Sequence, residues 1–224
     1  VTETWPPFIA QSADGSPTGP LWTITQNVAQ RAGIQVSVAF VPWKRALEQV
    51  SRKRKDGLIG AFSSSERSRR MRFSSVPLFF SETVVFSRKQ DPVVVESLAS
   101  LAGKHVAVSA GYSYGLEVES AADFKRTEIR DIGAGLQLVT FGRVDAFLAN
   151  RAVGWYAARK LGIADQLVAS EKTVSGGPVY LAFSLAVPPE LVAAFDRELR
   201  AYRETEDYRR IVQDFNTPPG LAAP

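Results

Sequence analysis

Cysteine is absent from all 224 residues. That excludes disulfides, thiol nucleophiles and cysteine metal sites, and it is compatible with an oxidising compartment. There is one histidine, His105, so neither a histidine metal cluster nor a histidine-based triad has its parts. No apolar run approaches the roughly 18 residues that a helical membrane span needs. The chain is therefore expected to be soluble, with any signal peptide already removed ahead of "VTETWPPF". A block of like charge is missing too: the formal charge is only +4, and "SRKRKDG" is one short run without interleaved aromatics. It reads as a solvated helix end, and nucleic acid is not an expected partner. There is no low-complexity stretch and no short-period repeat. What is present is a 45% hydrophobic composition, enough for one large domain or two lobes of about 100 residues each.

The apolar spacing is that of an α/β chain. Leu21, Ile24, Val28 and Ala32 recur at helical intervals before Gly33, which predicts a helix over 21–32. "IQVSVAF" alternates with period two, which predicts a strand over 34–40. "KRALEQV" predicts a second helix, with Ala46, Leu47 and Val50 inward, and residues 57–62 a short strand. Strand, helix, strand, helix, strand implies a parallel sheet covered by helices. The pattern restarts with "GKHVAVSAGYSYG" and with "GRVDAFLAN" followed by "RAVGWYAARKLG". Two helices close the chain, the second with Thr205 as N-cap. In parallel sheets ligands bind beyond the carboxyl ends of strands. The loops "TWPPF", "VPWKR" and "FSSSER" are expected at that edge.

The order of these segments resembles the bacterial periplasmic solute-binding proteins, family 3, which serve polar amino acids and related solutes. The resemblance rests on Trp5 to Phe8, on "DGLIGAFSSSERSRRMRFSSVPLFFSETVVFSRK", on "LAGKHVAVSAG", on "FGRVDAFLANRAVGWY" and on the two closing helices. It implies a two-lobed periplasmic-binding-protein-like II fold, with two hinge strands and an interlobe cleft that closes on its ligand. Lobe 1 would be residues 1–86 with 185–224, and lobe 2 residues 87–184.

The resemblance also implies site residues. Arg67 occupies the place where the family's arginine reaches a ligand carboxylate, and a planar guanidinium suits that role because it can donate two parallel hydrogen bonds. Without the resemblance, the stretch reads as an exposed turn with Arg67 paired to Glu66 or to solvent. Phe62, Ser64 and Ser65 belong to the same loop, the serines as neutral donors. Trp5 is either a cleft wall or a core tryptophan. Trp43 could stack on a ligand, and Arg45 points either into the cleft or to a neighbouring carboxylate. Arg69, Arg70 and Arg72 read as surface charge. In "AGYSYG", Ser113 lines up with a family threonine that completes the carboxylate site, while Tyr112 replaces another threonine and would fill space or stack. Asn150 stands where the family's amino-acid binders have an aspartate for the ligand's ammonium. An amide brings no charge to that place, which favours a carboxylic acid or another anion.

The function expected is capture of a small polar solute, a carboxylate or an amino-acid-like compound, in the periplasm for an ABC-type importer. The chain would act as a monomer, with a membrane permease or sensor as partner and no cofactor or metal. The alternatives are a cyclohexadienyl-dehydratase-like enzyme on the same scaffold, for which Glu171 is the nearest candidate acid, and a ligand-sensing or accessory module.

Overall fold

The computed structural model describes residues 1–110, 114, 118 and 120–216. The strands, in chain order, are β1 (Ala10–Gln11), β2 (Pro17–Thr18), β3 (Gly57–Phe62), β4 (Met71–Phe73), β5 (Phe79–Arg88), β6 (His105–Ser109), β7 (Lys125–Ile129), β8 (Ala146–Asn150), β9 (Leu167–Ala169) and β10 (Ser175–Ser184). The helices are α1 (Pro20–Arg31), α2 (Trp43–Ser51), the single turn α3 (Ser65–Ser68), α4 (Ile132–Thr140), α5 (Arg151–Lys160), α6 (Pro189–Arg203) and α7 (Glu206–Asn216). Two compact units result, Val1–Phe80 with 178–216, and Ser81–Gly177. The chain passes between them within β5 and again within β10, earlier in each direction than the 86 and 185 read from the sequence.

In the first unit, α1 starts at Pro20 behind Gly19, whose φ of 99° lies in the left-handed region. A Cβ at Gly19 would stand 2.6 Å from the Phe8 carbonyl oxygen, so only glycine fits between the Trp5–Ile9 turn and the helix. Leu21, Ile24 and Val28 form the buried stripe of α1, which packs on α6. Ala46 and Val50 of α2 join Leu58, Ala61, Met71 and Ala182 in one apolar cluster. Thr205 caps α7 as the sequence implies, its hydroxyl accepting from the Tyr208 N–H at 3.3 Å.

Two expectations fail in this unit. The strand over 34–40 is reduced to an isolated parallel bridge between Thr2 and Phe40. No ladder extends from that bridge along 34–39, and Val36 is 39% exposed. The ladders are also not parallel: β3 and β4 both pair antiparallel with β10, a strand that returns from more than a hundred residues away. Alternation within a window reports a strand, but not the direction of its partner.

The second unit keeps the expected parallel order, with β6 parallel to both β7 and β8. β5 is antiparallel to β8 and β9. Its sheet is buried on both faces: Val84, Phe86, Phe147 and Ala149 point to α4 and α5, and Val85, Ala146 and Leu148 to the other side. That is why β8 reads as a continuous apolar run ending in Asn150.

Candidate functional site

In the first unit the end of β3 leads directly into the stretch singled out from the sequence. Ser64 is extended (φ −148°, ψ 160°), and its hydroxyl accepts from the Arg67 N–H at 3.2 Å, closing the turn α3. The turn brings the Arg67 side chain back over the strand end. Its Nη1 donates to the Phe62 carbonyl at 2.8 Å, and its Cζ lies 5.9 Å from the centroid of the Trp43 ring. Trp43 is the first residue of α2 and packs its inner edge against the cluster of Val50 and Leu58. A carbonyl and an indole face thus hold one side of the guanidinium in place, and its remaining N–H groups keep their full donor capacity. Phe62, Ser64, Ser65, Trp43 and Arg67 are brought together here.

Among the described residues, Arg67 therefore pairs with neither Glu66 nor any other carboxylate. Arg45 is exposed on α2 and has no ion-pair or hydrogen-bond partner among the described residues. Arg69 and Arg70 are exposed, as expected. Arg72 departs from that reading: it is half-buried on β4, and its Nη1 donates to the Val187 carbonyl at 3.4 Å.

Trp5 packs into an aromatic cluster of the first unit. It is half-buried and joined to Phe8 (ring centroids 4.6 Å apart) and Phe79 (6.2 Å). Its backbone closes a turn onto Ile9, Trp5 N donating to the Ile9 carbonyl at 2.7 Å. The indole Nε1 is buried without a hydrogen-bond partner among the described residues, beside an aromatic core.

In the second unit Asn150 is 6% exposed and caps α5. Its Oδ1 accepts from the Val153 N–H at 3.1 Å, and its Nδ2 donates to the Ser81 hydroxyl at 2.9 Å. The next residue, Arg151, is engaged by the Glu82 carboxylate at 2.8 Å and donates to the Glu171 carbonyl at 2.9 Å. Glu171, the candidate acid, is itself exposed. At the same sheet edge the buried Ser109 hydroxyl has no partner among the described residues, while the Ser109 N–H donates to the phenol of Tyr114 at 2.7 Å. Burial pushes the Tyr114 phenol above its ordinary pKa, so it stays neutral and donates on to the Leu148 carbonyl at 3.0 Å. Tyr112 and Ser113 lie outside the described residues. Asp145 and His105 are structural: the Asp145 carboxylate accepts from the His105 N–H at 2.8 Å. No cluster of acids and histidines suited to a metal ion occurs among the described residues, nor does any helix long and apolar enough to cross a membrane.

Ser81, Glu82 and Arg151 carry no motif, and sequence reasoning passed over them. The available signal was a polar pair, "SE", interrupting the apolar run between Leu78 and Phe86. A second such signal was a cation in the first turn of a helix, which the helix dipole disfavours unless an acid faces it.

Known structures reproduce this architecture. An ancestral arginine-binding protein bound to arginine superposes with a TM-score of 0.74 at 22% identity, covering 96% of both chains. Substrate-binding domain 2 of Lactococcus lactis GlnP, in an open conformation, does so with a TM-score of 0.76 at 20% identity, covering 96% of this chain and 92% of that one. The fold is thus the two-lobed α/β fold of periplasmic binding proteins. The model of the bacterial extracellular solute-binding proteins, family 3, matches residues 1–218, and the chain belongs to that family. Among its relatives, the L-cystine-binding protein TcyJ of Escherichia coli K12 is 27% identical over 151 residues, or 66% of this chain. The match spans 56% of that protein's length.

Proposed function

We propose that this protein captures a small carboxylate-bearing solute in the periplasm and delivers it to an ABC-type importer, without making or breaking a covalent bond. The observation that carries the reading is Arg67, whose guanidinium is oriented by the Phe62 carbonyl and the Trp43 face while most of its donors stay available. Such a preset fork loses little entropy when it takes a carboxylate. The similar proteins named for binding arginine and cystine support the reading, since each of those solutes carries a carboxylate. Asn150 of the second unit, Phe62, Ser64, Ser65 and Trp5 would supply further contacts, with Tyr112 and Ser113 beside them, and Arg45 would add positive potential. The two compact units would be the family's two lobes.

Native mass spectrometry of freshly purified protein, followed by a thermal-shift panel of amino acids, dicarboxylates and aromatic acids, tests this. A retained or stabilising carboxylate is expected. A protein that none of the panel stabilises would overturn the reading, and turnover of prephenate to phenylpyruvate would replace it with the enzyme.

A further inference from the structure

The excess positive charge of this chain is unevenly spread. Residues 42–72 hold ten of its 27 arginines and lysines against three of its 23 acids, a surplus of seven, whereas the rest of the chain holds seventeen against twenty. Most of these cations fall in two runs, Arg52–Lys55 after α2 and Arg67–Arg72 around α3, and the fold brings both runs to one end of the first unit's ladders. β10 lies between β3 and β4, with Phe183 opposite both Gly57 and Arg72. One residue further, Ser184 stands opposite Met71, and its N–H donates to the Asp56 carbonyl at 2.8 Å. Lys55 and Arg70, each the next residue outward, therefore flank the place where the chain leaves β10. Leu185 occupies that place, in a turn closed by the Val187 N–H on the Ser184 carbonyl at 3.0 Å, and it is 43% exposed.

The cations around this leucine are largely uncommitted. Lys53, Arg54, Lys55, Arg69 and Arg70 are exposed, and none of their side chains has an ion pair or hydrogen bond among the described residues. Arg52 is paired with Glu48 at 3.2 Å, and Arg67 and Arg72 are drawn to backbone carbonyls, so the face rests on the other five. Long side chains with no fixed acceptor to aim them suit a surface that is anionic throughout better than carboxylates at set positions. A single exposed leucine among them suits the boundary between headgroups and acyl chains. We infer that this end of the first unit is a docking face for an anionic lipid surface, the five cations meeting headgroup phosphates and Leu185 entering between them. The inference is independent of the carboxylate reading of Arg67.

The test is co-sedimentation of the protein with vesicles of phosphatidylcholine, alone or with about one-third phosphatidylglycerol, at low and at physiological ionic strength. Binding to the anionic vesicles is expected, weakened by salt as exposed charges are screened. Lys53→Gln with Arg54→Gln and Lys55→Gln should weaken it about tenfold or more, and so should Arg69→Gln with Arg70→Gln. Leu185→Ser should weaken it about twofold to fivefold without changing the salt dependence, the mark of an apolar contact. Arg159→Gln with Lys160→Gln removes two exposed cations from the second unit and should leave binding within about twofold. All these side chains are exposed, and unchanged urea midpoints show that the variants are folded. If the anionic vesicles bind no more than the neutral ones, if only one of the two runs matters, or if the pair in the second unit costs as much, the docking face is wrong. Binding to poly-L-glutamate but not to the vesicles at physiological ionic strength would make the partner an acidic protein and overturn the lipid inference.

Discussion

At the scale of the residue, the arginine proposed to hold the ligand is distinguished from its neighbours by what touches it. Four arginines lie between Arg67 and Arg72, and only Arg67 has its guanidinium set against both a strand-end carbonyl and a tryptophan face. If it clamps a buried carboxylate, Arg67→Ala should cost about 2–5 kcal/mol of affinity, because truncation leaves the ligand's charge without its partner. The substitution falls on an exposed four-residue turn, so the urea midpoint should hardly move. Calorimetry and urea unfolding on the same preparation separate the two effects. Equal affinity in the variant would remove Arg67 from the site. Arg67→Lys should recover only part of the loss, since an ammonium replaces the fork by a single point of donation.

Secondary-structure elements set tighter conditions than any single surface residue. Helix α5 lies against the sheet so closely that a Cβ at Gly154 would stand 2.3 Å from Cε2 of Phe86, a fully buried ring. Gly154→Ala should therefore destabilise the second unit by about 1–3 kcal/mol or more despite alanine's better helix propensity, as an overpacked core requires. A lowered denaturation midpoint measures it. At the corner of α6 and α7, the Tyr202 phenol bonds Asp207 and accepts from Asn27 of α1, tying three helices together. That phenol holds the Asp207 carboxyl below its ordinary pKa. Because the folded pKa is depressed, the stabilisation is complete above the unfolded value near pH 3.9 and fades as pH falls through the folded one. Asp207→Asn should accordingly lower stability slightly at neutral pH, and the difference from the parent should vanish in acid. Asp207 is largely solvated, so the effect will be small.

For the whole molecule, ligand linkage is the measurable quantity. A solute that binds only the folded chain, supplied at 100 times its Kd, adds about 2.7 kcal/mol. For a chain of this size roughly 2–4 °C follow per kcal/mol, so the thermal midpoint should rise by about 5–10 °C. A panel hit with a much smaller shift at that ratio would mean that the unit unfolding first does not hold the ligand.

Local periodicity alone determined a good part of this protein. The buried stripe of α1, the residues of β3 and the Thr205 cap follow from spacing and side-chain chemistry within a few positions. The order of the segments pointed to the family, and through it to Arg67. Tertiary structure decided what depends on partners distant in the chain. The antiparallel setting of β3 and β4 comes from β10, and of the strand expected over 34–40 one bridge, Thr2 to Phe40, is formed. The face that Asn150 presents comes from Ser81, 69 residues earlier. A window of sequence encodes how often a side chain points inward, because that period is set by the backbone of the element itself. It does not encode which hydroxyl or carbonyl will stand opposite, because that is settled only when distant segments compete for the same buried hydrogen bonds.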